Sequence, residues 1–240
     1  MAGDFLQQLL KIYRCARVLL KQALLIEPVV LAKLHPLLEF HGNDYCGWCI
    51  PAGVLNGESV VVDVGLGEDI SFSQSLMRAY GCVVNGFDPT PRAIDYVRSL
   101  GCERLRLHDS AVANRSQLAS FFLPNDESHV SGSLLREEHL GQKELQISVV
   151  GIQELFALIG AERINLLKLD IEGAEYDLIA SAEFAACAAR IDMICIEFHH
   201  RWRRFGRRST LNAVSILNRL GFQCAWRGVA TNEEFLFLRP

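Results

Sequence analysis

In "INLLKLDIEGAEYDLI" (residues 164–179) an apolar run gives way abruptly to Lys168, Asp170 and Glu172, and "IDMICIEFHH" (191–200) ends in the same manner with Glu197 and His199. Carboxylates and an imidazole can accept the proton of a hydroxyl, hold a cationic ligand or coordinate a divalent metal. Side chains alternate along a strand, so Leu166, Lys168 and Asp170 share one face of the first segment and Met193, Cys195, Glu197 and His199 one face of the second. On neighbouring strands, Asp170, Glu172, Glu197 and His199 gather around one crevice with Lys168 just below. An isolated buried charge is costly, so an acid is expected to pair with Lys168. His199, whose ordinary pKa of about 6.5 suits neutral pH, is the first choice of base, with Glu197 or Glu172 behind it. Asp170 is assigned to holding cofactor or substrate. The same Asp, two Glu and His can hold a divalent cation that lowers a hydroxyl pKa; residue types leave that choice open, and no metal ligand is assigned. A purely structural ion-pair network is the competing reading of Lys168, Asp170 and Glu172.

A second set begins at "DVGLGEDISF" (63–72). Gly65 and Gly67 let the backbone turn tightly and approach a ligand, but the third glycine of a dinucleotide fingerprint would fall at Ile70. Glu68 and Asp69 add negative charge where a pyrophosphate would have to settle. S-adenosylmethionine has a nucleoside without phosphate, and its cationic sulfonium and amino group suit an acidic loop. Asp88 in "GFDPTP" follows roughly 20 residues later, where an acid commonly takes ribose hydroxyls, with Thr90 beside it. Asp109 in "LHDSAV" is set to reach an adenine amino group by the same geometry. The expected cofactor set is Asp63, Gly65, Gly67, Asp69, Asp88, Thr90, Asp109 and Asp170. The bland alternatives are a ligand-free glycine turn, an Asp88 that only starts the turn before Thr90, and an Asp109 in a solvated turn.

These residues need a frame. "SVVVDVG" (59–65), "CVVNGFD" (82–88), "RLRLHD" (104–109), "INLLKLDI" (164–171) and "IDMICIEFH" (191–199) read as strands. Helices follow: "SFSQSLMRAYG" closed by Gly81, "TPRAIDYVRSLG" with Thr90 as N-cap and Pro91 at its first position, "EYDLIASAEFAA", and a capped "STLNAVSILNRLG". "LQISVVGIQELFALIG" supplies a further strand and a short helix, whereas residues 36–58 and 110–145 read as irregular. "FQCAWR" and "EEFLFL" close the chain as a hairpin. Alternating strands and helices with a late hairpin imply a doubly wound sheet carrying one antiparallel strand.

In order and spacing, "DVGLGEDISF", "GFDPTPRAIDYV", "LLKLDIEGAEYDLI" and "IEFHHRW" resemble the FkbM-type methyltransferases, with K-x-D-x-E-G-A-E the most specific stretch and the glycine loop the least. The resemblance implies an α/β, Rossmann-like class I methyltransferase fold with a seven-stranded, mostly parallel sheet. It also implies S-adenosylmethionine as cofactor and O-methylation of a hydroxyl on a sugar, glycan or secondary metabolite. "GEDISF" departs from the commoner family pattern, which is richer in glycine and asparagine there, and this leaves the roles of Glu68 and Asp69 open.

The chain of 240 residues, half of them hydrophobic, suffices for one ample core. We divide it into a lead-in, 1–58, and a methyltransferase domain, 59–240. A net charge of -4 supplies no global attraction to nucleic acid, which is not expected as a partner. The local basic stretch "HHRWRRFGRR" (199–208) is placed at the site mouth to engage an anionic or glycosylated acceptor. Scattered cysteines in apolar strands favour a reducing, cytoplasmic setting, and "CGWC" (46–49) reads as ordinary loop cysteines. Residues 4–26 form an amphipathic helix with Leu6, Leu9, Tyr13, Ala16, Leu20 and Leu24 on one face. That helix is expected to pack on its own domain or on a second copy as a homodimer, with membrane-surface attachment as the alternative. No apolar run reaches the length of a membrane span. Two other classes compete: a nucleotide-dependent oxidoreductase, opposed by Ile70 and the acidic loop, and a non-catalytic binding protein that keeps the fold.

Overall fold

The protein is described from a computed structural model covering residues 2–126, 129–138 and 140–240, with side chains from residue 8 onward except 142. Leu6 therefore lies outside the described side chains. The chain opens with α1 (Ala2–Ala23) and a small antiparallel pair, β1 (Leu38–His41) and β2 (Trp48–Pro51). There follow β3 (Val60–Val64), α2 (Ser71–Tyr80), β4 (Val83–Phe87), α3 (Pro91–Ser99) and β5 (Leu105–His108). Next come β6 (Ala111–Ala113), β7 (Gln117–Pro124), β8 (Leu140–Gly151), α4 (Ile152–Ile159) and β9 (Ile164–Leu169). The chain ends with α5 (Glu175–Ala180), α6 (Ala182–Cys187), β10 (Ile191–Glu197), α7 (Gly206–Arg219), β11 (Gln223–Arg227) and β12 (Glu234–Leu238).

Seven strands form the main sheet in the order β11-β12-β10-β9-β3-β4-β5. Only β12 runs against its neighbours, β10 and β11, as the late hairpin implied. Strand alternation divides the interior in two. Val62, Val64, Leu167, Leu169, Ile194 and Ile196 point to the side covered by α4, α5, α6 and α7. Val61, Leu166, Met193 and Cys195 point to the other side, under α2 and the β1–β2 pair, with Phe72, Leu76, Trp48 and Ile50. Each such large side chain, once fully buried, contributes about 1.5–3 kcal/mol. The winding reverses between β3 and β9, so the loops after β3, β4 and β9 open into one crevice, the usual ligand position of such sheets.

Four expectations need correction. Residues 36–58 contain the β1–β2 pair, and 110–145 contain most of a three-stranded sheet ordered β6-β8-β7. The latter covers only a small core of Ala111, Ala113, Phe121, Ile147 and Val149, so its apolar pattern is weak along the chain. "EYDLIASAEFAA" is two helices: Ser181 adopts an extended backbone and its Oγ accepts the Phe184 N–H at 3.1 Å, capping α6. α7 starts at Gly206 rather than at the Ser209 region, and Ser209 Oγ instead donates to the Phe205 carbonyl. Finally, α1 does not bury its apolar face on the domain: Leu9, Tyr13, Leu20 and Leu24 are exposed, while Val18 and Gln22 are buried. No described helix is long and apolar enough to cross a membrane.

Candidate active site

The crevice holds a cavity of about 430 Å³, within the span of about 300–1,000 Å³ usual for small-molecule sites. Gly65, Gly67, Asp69, Asp88, Thr90, Asp170 and Glu172 line it, as do Glu68, Tyr45 and Cys46. Gly65 adopts φ 85° and Gly67 φ 56°, both in the left-handed region that favours glycine. A Cβ on Gly65 would lie 1.8 Å from the Asp170 carbonyl oxygen, so the loop after β3 passes directly against the end of β9. The Gly67 N–H donates to Asp88 Oδ2 at 2.9 Å, and the Thr90 N–H to Asp88 Oδ1 at 2.8 Å. Asp88 thus both shapes the glycine loop and starts the turn into α3. Thr90 stands at the N-cap position of α3, but its side chain makes no cap bond.

Glu68 and Asp69, whose roles the sequence left open, tie the loop to its surroundings. Glu68 Oε2 lies 2.5 Å from Arg92 of α3, and Asp69 accepts from Asn43 Nδ2 at 2.7 Å and from the Ser71 N–H at 2.9 Å. Burial works against the charge of Asp69, yet those hydrogen bonds hold its carboxyl below the ordinary range.

Beneath this floor, register places Asp63 of β3 opposite Lys168 of β9, with Cys195 of β10 on Lys168's other flank. Lys168 Nζ lies 2.9 Å from Asp63 Oδ1, donates to the Gly65 carbonyl at 3.0 Å, and is 4.0 Å from Asp170 Oδ2. Burial opposes the charged ammonium, but Asp63 and Asp170 hold it well above the ordinary lysine range. Lys168 and Asp63 accordingly support the glycine loop from below rather than lining the cavity, which corrects the placement expected for Asp63. Asp109 is also off the cavity, paired on the surface with Arg98. His108, one residue earlier, stacks on Phe87 at 4.3 Å between ring centroids.

His199 is buried between two acids. Its Nδ1 lies 3.1 Å from Glu175 Oε1, which also accepts the His199 backbone N–H at 3.0 Å, and its Nε2 lies 3.1 Å from Glu172 Oε2 and 3.9 Å from Asp170 Oδ1. Burial favours the neutral ring, but Glu175 and Glu172 together raise its pKa well above the ordinary 6.5. Both ring nitrogens thus face carboxylates, an environment that favours the charged ring and opposes a role as base. Asp170 is shifted toward neutrality: burial and Glu172, against the pull of Lys168, raise its pKa to about 6. Burial and Asp170 also push Glu197 well above the ordinary carboxylate range, and it does not line the cavity. Asp170, Glu172 and His199 bring one donor atom each within 4.8 Å of one another, which makes them the described residues able to hold a metal.

Glu175, fully buried, escaped sequence reading because an acid in the first turn of a helix is ordinary. Cys46 is a cavity residue too, and burial pushes its thiol up to about 12. Over the top, Ser133 Oγ donates to the Glu172 carbonyl at 2.6 Å and brings residues 129–134 to the mouth. Glu172 itself holds φ 49°, uncommon for a residue with a side chain. Three arginines of the basic stretch pair with acids: Arg201 with Glu27 at 3.0 Å and Glu233 at 2.5 Å, Arg203 with Glu138 at 3.4 Å, and Arg204 with Glu137 at 3.8 Å. None of its five arginines lines the cavity.

A seven-stranded sheet of this order, with its glycine loop and acid-edged crevice at the strand ends, defines a class I methyltransferase architecture. Residues 60–224 match the methyltransferase FkbM domain, and the chain belongs to that family, whose cofactor is S-adenosylmethionine. No curated protein matches the chain significantly. Among solved structures, a methyltransferase FkbM from Methylobacillus flagellatus KT shares 15% identity at a TM-score of 0.49, covering 78% of this chain and 45% of that one. This chain thus spans less than half of that relative. An rRNA methylase from Streptococcus thermophilus shares 16% at 0.43, covering 77% and 87%. Aeropyrum pernix fibrillarin with natively bound S-adenosyl-L-methionine shares 10% at 0.43, covering 78% and 68%.

Proposed function

We propose that the protein uses S-adenosylmethionine to methylate a hydroxyl oxygen on a sugar, glycan or secondary metabolite. One observation carries the choice of ligand: Glu68, Asp69, Asp88, Asp170 and Glu172 line the cavity, and no Lys or Arg does so among the described residues. Such a wall favours a nucleoside bearing cationic groups and opposes a pyrophosphate, which argues against the oxidoreductase reading. Asp88 and Thr90 at the end of β4 would take the ribose, and Gly67, with open space where a Cβ would stand, leaves room for close approach of the ligand. Lys168 and Asp63 fix that floor. The cofactor supplies an electrophilic methyl group.

Asp170 is assigned as the base: at neutral pH most of it is ionised, its pKa of about 6 suits uptake of a hydroxyl proton, and it lines the cavity. His199 is a positioning residue whose positive charge restrains Glu172 and Asp170, and Glu175 holds its ring. Burial drives Glu197 toward its neutral form, leaving it behind this group. The eight free cysteines suit a reducing cytoplasm.

The reading is tested with methyl-labelled S-adenosylmethionine against a panel of sugars, hydroxylated metabolites and RNA. Label in an alkali-stable ether, lost in Asp170→Asn, supports it. Label confined to RNA or to nitrogen contradicts it.

A further inference from the structure

We infer that α1 is a peripheral membrane anchor that lays an apolar stripe, exposed on the folded protein and bordered by cations, onto an anionic lipid surface. At 100° per residue, Leu9, Ile12, Tyr13, Leu19, Leu20 and Leu24 span an arc of about 140°. Their exposures run from 46% for Leu9 to 65% for Ile12. The helix is nevertheless fastened to the domain by its opposite side. Val18 is 4% and Gln22 8% exposed, and Gln22 Nε2 donates to the Pro28 carbonyl at 2.9 Å and to Asn232 Oδ1 at 3.2 Å. Just beyond, Glu27 joins His200 at 3.0 Å, Arg201 at 3.0 Å and Lys21 at 3.3 Å, and Asn232 Nδ2 donates to it at 3.0 Å. The side facing the protein thus holds Val18 and a hydrogen-bonded Gln22, and the broad apolar stripe faces out.

Charge selects the occupant. Residues 8–23 contain Lys11, Arg14, Arg17 and Lys21 and no Asp or Glu. Arg14, Arg17 and Lys21 follow one border of the stripe. In a self-complementary pair of helices Arg14 and Arg17 would face their own copies across the seam with no acid from residues 8–23 to match them, whereas Lys21 is already paired with Glu27. A negatively charged leaflet supplies that match, and the buried depth of an interfacial helix accommodates a stripe of this width.

The test is co-sedimentation of the full chain with phosphatidylcholine vesicles, with and without phosphatidylserine. The protein should pellet with the phosphatidylserine vesicles and less so at high salt. Ile12→Asp/Leu19→Asp should abolish pelleting, and Arg14→Gln/Arg17→Gln should weaken it about 30-fold, from about 1 kcal/mol for each cation. Both variants must keep wild-type circular dichroism and cofactor binding, which separates the anchor from the active-site reading. A folded wild type that ignores phosphatidylserine vesicles overturns the inference. So does a wild-type dimer that Ile12→Asp/Leu19→Asp converts to monomer while vesicle binding is absent, because the stripe then belongs to a second copy.

Discussion

Lys168→Met tests whether the floor of the site is held by a buried ion pair. The Lys168 and Asp63 side chains are 1% and 3% exposed, with Nζ 2.9 Å from Oδ1, and the Gly65 carbonyl is the ammonium's second partner. Methionine nearly preserves the volume of the stem but leaves the Asp63 carboxylate buried beside the Ser73 hydroxyl alone. Breaking one partner of such a pair costs about 3–5 kcal/mol. For a chain of this size each kcal/mol moves Tm by about 2–4 °C, so the variant should melt roughly 6–20 °C below wild type. Thermal unfolding followed by circular dichroism reads this directly. The double variant Lys168→Met/Asp63→Asn removes both charges, keeps an acceptor for Ser73, and should recover most of the loss. A single variant within about 1 kcal/mol of wild type, or a double variant no better than the single, would refute the argument.

Three further outcomes follow from the same geometry. Gly65→Ala should abolish cofactor binding and lower Tm, since its Cβ would sit 1.8 Å from a backbone oxygen at φ 85°; calorimetry and melting on the same sample check both. The rate with a limiting acceptor should rise as pH increases through about 6, where Asp170 ionises, and Asp170→Asn should remove that limb of the profile. His199 should still be protonated at neutral pH in ¹⁵N spectra of the ring. Because its folded pKa is raised, its contribution to stability is complete below about 6.5 and is lost as pH climbs through the raised value.

The parts of the site set by strand ends were legible in the sequence. β-branched runs, glycine turns and alternation located Gly65, Gly67, Asp88 and Asp170, and the cost of a lone buried charge anticipated an acid for Lys168. Which acid it was needed the register of β3 against β9, which pairs Asp63 with Lys168 and no local pattern encodes. The protonation of His199 was hidden for a related reason. It depends on Glu175, two residues past Gly173, meeting the end of β10 across a sequence separation of 24 residues. The ion pairs of Arg201, Arg203 and Arg204 were not legible because their acids, Glu27, Glu137, Glu138 and Glu233, come from three distant segments. The strands of residues 110–145 were missed because they cover a small core and alternate weakly.

The central claim is that an acid-lined cavity over the Gly65–Gly67 loop takes a phosphate-free, cationic nucleoside. Isothermal titration of the purified chain with S-adenosylmethionine and, separately, with NAD⁺ tests it most directly. The account predicts saturable one-site binding of S-adenosylmethionine, weakened in Asp88→Ala, and no binding heat with NAD⁺. Binding of NAD⁺, or no binding of S-adenosylmethionine by folded protein, would contradict it.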